Sequence, residues 1–157
     1  MNVIYAGSFD PAHLGHYNTF KNAVTLYRQD ITVYICINEL KESGLLDIES
    51  RVRIAEDLFQ SDIRVCTNKR DLVAMAEWAQ HIVRGFRNES DKAYTYKLLS
   101  HYGLENYLSK ISFVPIDDFY HDYSSSVIKK LMLENPSKAR EFLSPVAYKC
   151  LLQKIGG

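Results

Sequence analysis

The sequence has few cysteines, little proline or glycine, and no surplus of charge. Its 157 residues include three cysteines, Cys36, Cys66 and Cys150, with no CxxC pair and no Cys/His ladder. That spacing speaks against a disulfide scaffold or a structural zinc site and for buried thiols in a reducing cytosol. With four prolines and seven glycines there is no Gly/Ser linker, repeat or low-complexity tract, so a single domain is expected over residues 1–157. Lys plus Arg and Asp plus Glu both number 19. A chain without a basic excess lacks the footprint of non-specific nucleic-acid binding, whereas a pocket for a small anion needs only a few local cations. No apolar run approaches a membrane span. The opening Met1-Asn2-Val3-Ile4-Tyr5-Ala6 is too short and uncharged for a signal peptide, so a cytoplasmic protein is expected. Hydrophobic residues at 46% and charged residues at 24% are those of an ordinary globular chain.

Apolar periodicity gives the architecture. Residues 3–6, 31–37, 63–66, 82–83 and 111–114 are short β-branched or apolar runs, the pattern of buried strands. Between them, residues 16–28, 48–58, 71–80 and 94–99 carry apolar positions at helical spacing. In the second, Ile48, Val52, Ala55 and Leu58 share a face; in the third, Leu72, Met75 and Trp78 point inward. A helix over 125–133 and two short ones around Ala139 and Val146 complete the chain. Strand and helix thus alternate about five times, which predicts an α/β, Rossmann-like fold: a five-stranded parallel sheet with helices on both faces. Ligands of such sheets sit beyond the carboxyl ends of the strands, and the chemically suggestive segments fall there.

The segment Gly7-Ser8-Phe9-Asp10-Pro11-Ala12-His13-Leu14-Gly15-His16 joins the first strand to the first helix. Gly7 and Gly15 permit close backbone approach to a phosphate at a helix start, where free N–H groups attract anions. His13 and His16 lie near each other, and an imidazole N–H can donate to a phosphate oxygen and carry charge as that oxygen grows more negative. A metal would need a third ligand, and the sequence offers none nearby. Asp10 and Pro11 read as loop-shaping residues.

This string resembles the signature of the nucleotidylyltransferases, in which an (H/T)xGH motif binds nucleotide phosphates. Further segments are similar to bacterial phosphopantetheine adenylyltransferases. Arg84-Gly85-Phe86-Arg87 resembles an RGLR segment, and Asp91 and Tyr94 continue a D-x-x-Y pattern. Tyr123-Ser124-Ser125-Ser126-Val127-Ile128-Lys129 resembles ISSSxVK, with at least one serine serving as an N-cap. Lys41 stands in an N-x-x-K context, Arg51 in an E-x-R context reads as structural, and residues 141–146 resemble the C-terminal stretch. The likeness runs from residue 3 to about residue 153.

The resemblance implies adenylyl transfer from ATP to 4′-phosphopantetheine, giving dephospho-coenzyme A and pyrophosphate, with Mg²⁺ bridging the phosphates and a homohexameric assembly. His16, His13, Lys41 and Arg84 are the implied catalytic set. Ser8, Phe9, His16, Gly85, Phe86, Arg87, Thr95, Ser124, Ser125 and Ser126 are the implied ATP-binding set, and Ser8, Lys41, Val73 and Arg84 the acceptor-binding set. The chain departs from the family pattern at several places: Thr95 stands where a glutamate is usual, His101-Tyr102 where a Met-Asn pair is common and Tyr123 where an Ile is usual, and the segment between Leu72 and Arg84 is shorter than usual. Alternatives on the same fold are a nicotinate or nicotinamide mononucleotide adenylyltransferase, a cytidylyltransferase, and a non-catalytic nucleotide-binding protein. The RGFR segment and triple serine argue against the first of these.

Overall fold

A computed structural model describes residues 1–37 and 44–156. Five strands, β1 (Val3–Gly7), β2 (Thr32–Cys36), β3 (Ile63–Cys66), β4 (His81–Phe86) and β5 (Ile111–Pro115), form one sheet in the order β3-β2-β1-β4-β5. Every adjacent pair is parallel. The helices are α1 (Leu14–Tyr27), α2 (Ile48–Phe59), α3 (Lys69–Trp78), α4 (Glu89–Tyr102), α5 (Ser125–Glu134), α6 (Pro136–Arg140) and α7 (Pro145–Gly156). Short 3₁₀ turns cover Glu105–Lys110 and Asp118–Tyr120.

Strand alternation sorts the core into two layers. Val3 and Tyr5 of β1, Val33 and Ile35 of β2 and Val83 of β4 face α1, α2, α5 and α7. Ile4, Ala6, Tyr34, Cys66 and Ile82 face the opposite way, toward α3 and the end of α4. The sheet is therefore covered on both sides, as the alternation predicts. From β1 the chain runs outward through β2 to β3, then crosses back to β4 and β5. The order reverses between β1 and β4, and a crevice opens at their carboxyl ends.

Several boundaries differ from the periodicity reading. β4 is longer than the expected pair Ile82–Val83, because its ladder to β5 continues through Arg84↔Phe113, Gly85↔Val114 and Phe86↔Pro115. The arginine–glycine segment is thus the end of the strand itself rather than a loop after it. α1 begins at Leu14 rather than His16, since His13 caps it. α4 starts at Glu89, capped by Asn88, and α7 is one helix of 12 residues where a short one was expected. On α2 the buried stripe is Arg51, Ile54, Ala55 and Phe59, shifted from the expected face because Arg51 is drawn inward by a carboxylate. Trp78 is 40% exposed rather than inward; its ring lies under the Arg64 guanidinium, 5.2 Å away. Among the described residues, no helix is long and apolar enough to cross a membrane.

Candidate active site

The loop after β1 is built around two anchors. Phe9 adopts a left-handed backbone (φ 47°), a conformation that an aromatic residue keeps only when its surroundings enforce it. Its buried ring meets Tyr5 edge-on at 5.1 Å and Phe59 at 5.6 Å. Asp10, also buried, accepts the Leu45 and Leu46 N–H groups, each at 2.9 Å. The same carboxylate pairs with Lys129 of α5 at 2.9 Å and with Arg51 of α2 at 3.5 Å. Burial alone would raise the Asp10 carboxyl, but the Lys129 ammonium, the Leu46 N–H and Arg51 outweigh it and hold it below the ordinary range. Arg51 also donates from Nε to the Leu46 carbonyl at 3.0 Å. Its guanidinium fills the space a side chain at Gly44 would need. One carboxylate therefore ties together the β1 loop, residues 44–46, α2 and α5.

His13 and His16 form a reciprocal cap at the start of α1. His13 Nδ1 accepts the Gly15 N–H at 3.1 Å, and His16 Nδ1 accepts the His13 N–H at 3.1 Å. The three-residue spacing is that of a capping box, with imidazoles in place of Ser and Glu. A Cβ at Gly15 would come within 2.8 Å of the His13 ring, so this glycine makes room for the cap. With both Nδ1 atoms accepting, each neutral ring carries its proton on Nε2. His13 is 3% exposed; burial, aided by the nearby Arg87 charge, pushes its pKa down to about 3. It is a neutral donor at physiological pH, not the charge carrier that the sequence reading allowed.

Across the crevice, Arg84 donates from Nη1 to the Ala6 carbonyl at 2.8 Å and from Nε to Thr95 Oγ1 at 3.4 Å. Thr95, buried on α4, is thus a tether for Arg84. Arg87 forms a forked pair with Asp91, Nε to Oδ2 at 3.1 Å and Nη2 to Oδ1 at 2.9 Å. Burial alone would raise the Asp91 carboxyl, but Arg87 more than offsets this and holds it down. Of the three serines, Ser124 caps α5 by accepting the Val127 N–H at 3.2 Å, and Ser125 donates to the Pro11 carbonyl at 3.0 Å. Ser126 lines the cleft beside the α5 N-terminus.

The cleft so formed measures about 1090 Å³. Ser8, Phe9, His13, His16, Arg84, Gly85, Arg87, Thr95 and Ser124–Ser126 all border it. Two expected site residues do not. Phe86, two residues beyond Arg84 on the same face of β4, turns its ring toward Phe113 (centroids 6.2 Å apart) and the Lys92 ammonium. Val73 sits at the edge of the second core, while its neighbour Leu72 borders the cleft. Lys41 lies outside the described residues. At the positions that depart from the family pattern, Tyr102 borders the cleft and donates to the Ile37 carbonyl at 3.3 Å, whereas His101 faces outward. Sequence reasoning gave no role to Lys129, which the ISSSxVK resemblance contained, nor to Cys36 and Met75, for which no motif exists.

Among the described residues, no three His, Cys, Asp or Glu side chains come together as a metal site. Asp10 and Asp91, the carboxylates of the cleft among the described residues, are already paired with cations. These residues do not make a magnesium cage.

The cytidylyltransferase-like family model matches residues 4–131. A phosphopantetheine adenylyltransferase of Vesicomyosocius okutanii is 32% identical over 137 residues, covering 83% of this chain and 84% of the relative. The chain belongs to the phosphopantetheine adenylyltransferases, within the cytidylyltransferase-like family. A second member, from Phocaeicola vulgatus, is 39% identical over 96 residues, a match spanning 59% of this chain and 62% of that relative's length. Among solved structures, Thermotoga maritima TmcAL bound with alpha-thio ATP superposes with a TM-score of 0.65 at 14% identity, over 99% of this chain and 56% of that one. That likeness is one of fold. In this member of the phosphopantetheine adenylyltransferases, the motif residues His13, His16, Arg84 and Ser126 meet at one switch point of the sheet.

Proposed function

We propose that this chain moves the AMP moiety of ATP onto the phosphate of 4′-phosphopantetheine, giving dephospho-coenzyme A and pyrophosphate. The observation that carries this reading is the pair of imidazoles held as Nε2–H donors at the end of β1, opposite a tethered arginine on β4. An acceptor phosphate oxygen bonds to the α-phosphorus while the bond from that phosphorus to the bridging oxygen breaks. The electron pair leaves with pyrophosphate. The acceptor is an anion at neutral pH, so its attack needs no general base and no covalent enzyme intermediate. The protein's work is alignment and stabilisation of charge on the α-phosphate oxygens.

His16 donates to those oxygens, and neutral His13 supports the same phosphates. Arg84 and Lys41 hold the incoming phosphate in line, with Ser8 between the two ligands. Gly85, Arg87, Ser126 and the α5 N-terminus hold the nucleotide. Magnesium belongs to the same reading, carried by triphosphate oxygens and water rather than by side chains. So do the homohexameric assembly implied by the resemblance and the cytoplasmic location expected from the sequence; sedimentation of the full chain at the mass of a hexamer is the expected result.

Pyrophosphate release tests the reaction, with ATP or CTP offered against 4′-phosphopantetheine and the nicotinate and nicotinamide mononucleotides. Turnover is expected only with ATP and 4′-phosphopantetheine. Release with a mononucleotide acceptor, or ATP binding without turnover on any acceptor, overturns the reading. Arg84→Ala is expected to raise the KM of the acceptor more than that of ATP, and equal effects on both would remove its acceptor role.

A further inference from the structure

Cys36 ends β2, Cys66 ends β3, and the two are register partners across the parallel pair. Register partners send their side chains to the same face, here the α3 face, where both contact the second core. The thiols interact directly: contact with Cys66 and burial push the Cys36 thiol up, while contact with Cys36 holds the Cys66 thiol down. Met75 of α3 places its Sδ 3.9 Å from each Sγ. Cys36 and Met75 border the cleft, whereas Cys66 is 2% exposed behind them.

A methionine beside two cysteines is, by composition, ordinary core filling. The distances add something that composition does not. Three sulfurs around one ion, each at a metal–thiolate bond length of about 2.3 Å, stand about 4.0 Å apart in a trigonal plane. The two Sδ–Sγ edges, 3.9 Å each, suit that figure, so sulfurs already in van der Waals contact need little movement to close on an ion. Thiolate and thioether donors select soft ions such as Cu(I). Zinc prefers a four-coordinate site, and among the described residues no His, Asp or Glu completes a set of three with these cysteines.

We infer that Cys36, Cys66 and Met75 form a binding site for a soft monovalent cation, Cu(I) or its surrogate Ag(I), in the wall of the cleft. Binding releases both thiol protons to solvent and leaves a bis-thiolate complex of one net negative charge. No electron is transferred. Arg84 acts electrostatically on the Cys36 thiol, so the loaded site competes for the guanidinium proposed to hold the acceptor phosphate. That effect on turnover rests on the adenylyl-transfer reading, while binding of the ion does not.

The test is competition of the reduced full chain against a chromogenic Cu(I) chelator, with Ag(I) stoichiometry read by native mass spectrometry. One ion per chain is expected, unchanged in Cys150→Ser, whose thiol lies elsewhere against Arg53. Loss of a direct ligand exceeds the roughly 10–100-fold that outer-shell changes cost, so Cys66→Ser is expected to weaken binding at least about 100-fold. Met75→Leu conserves volume and removes only the neutral thioether, a weaker donor than either thiolate, so a smaller loss than in Cys66→Ser, about 10-fold, is expected. Met75→Leu within two-fold of wild type, a loss of binding in Cys150→Ser, or displacement of Cu(I) by equimolar Zn(II) overturns the site. Loading that raises the acceptor KM above that of ATP supports the link to Arg84. One bound ion with unchanged kinetics upholds the site and sinks that link alone. One bound ion on a chain inactive toward every acceptor upholds the site and sinks the adenylyl-transfer reading instead.

Discussion

The two ends of the cleft are built on opposite principles. At the α1–α5 end, polar groups converge and partner one another: Asp10 serves two backbone N–H groups and two cations, and the histidines cap each other. At the α3–α4 end, the wall is apolar or soft, made by Leu72, Met75, Leu99, Tyr102 and Cys36. A buried polar network has little tolerance, because any lost partner leaves a desolvated group unpaired. An apolar wall tolerates exchange at constant volume. On the proposed reading, the polar end holds the phosphates and the apolar end sets which acceptor fits.

Shape-conserving substitutions put this contrast to its severest test. Asp10→Asn keeps the size of the side chain but leaves Arg51 and Lys129 uncompensated, and breaking a buried pair costs about 3–5 kcal/mol. Leu72→Met, at the other end, is expected to cost less than about 1.5 kcal/mol. Urea unfolding of both variants decides the matter, and equal losses would erase the distinction. Next in size is His16→Ala. Removing one donor aimed at developing charge lowers kcat by about 10²–10³, with a stability loss near 1 kcal/mol from the released His13 N–H. Leu99→Ala, by contrast, is expected to raise the acceptor KM with kcat nearly intact. A His16→Ala enzyme within a few-fold of wild type would show that the polar end does not drive the chemistry.

The same contrast explains what could be read in the sequence. The centre of the polar end is continuous in the chain: residues 7–16 carry the loop, the cap and both imidazoles, while Arg51 and Lys129 join it only through folding. The sheet was legible for a related reason, since buried parallel strands are uniformly apolar. The apolar end is assembled from residues 36, 72, 75, 99 and 102, brought together only by folding. No spacing marks them, and Val73 in place of Leu72 is the error of a single position that follows. Phe86 carries no such mark either: it shares the Arg84 face of β4, and its place away from the cleft comes from packing against Phe113 and Lys92, contacts that only folding creates. Helical spacing with Leu72 and Met75 puts Trp78 inside, whereas an exposed guanidinium covers its ring at the surface.

Acid probes the polar end by itself. His13 has a folded-state pKa of about 3 against about 6.5 unfolded, so between those values the unfolded chain binds the extra proton. Its contribution to stability is complete above about pH 6.5 and is lost as pH falls toward 3. Between pH 7 and pH 5 the loss is about 2 kcal/mol. His13→Asn retains a capping acceptor for the Gly15 N–H and does not titrate there. Unfolding free energies from urea titrations at the two pH values are expected to differ by that amount less in the variant than in wild type. An unchanged difference would mean that His13 is reached by solvent and that the cap is not closed.

The smallest effect belongs to the boundary between the two ends, where Thr95 holds Arg84. Thr95→Val conserves shape and removes only the Oγ1 acceptor of a 3.4 Å hydrogen bond from Nε. The shorter bond from Nη1 to the Ala6 carbonyl, at 2.8 Å, remains. One of two tethers is lost, and a net hydrogen bond of about 1 kcal/mol or less corresponds to roughly a three- to five-fold change. The acceptor KM is therefore expected to rise by about that factor, with the ATP KM and kcat unmoved, in steady-state assays varying each substrate in turn. If the ATP KM rises instead, Arg84 and Thr95 belong to the nucleotide wall, and the division between a fixed polar end and a tolerant apolar end falls on the far side of α4.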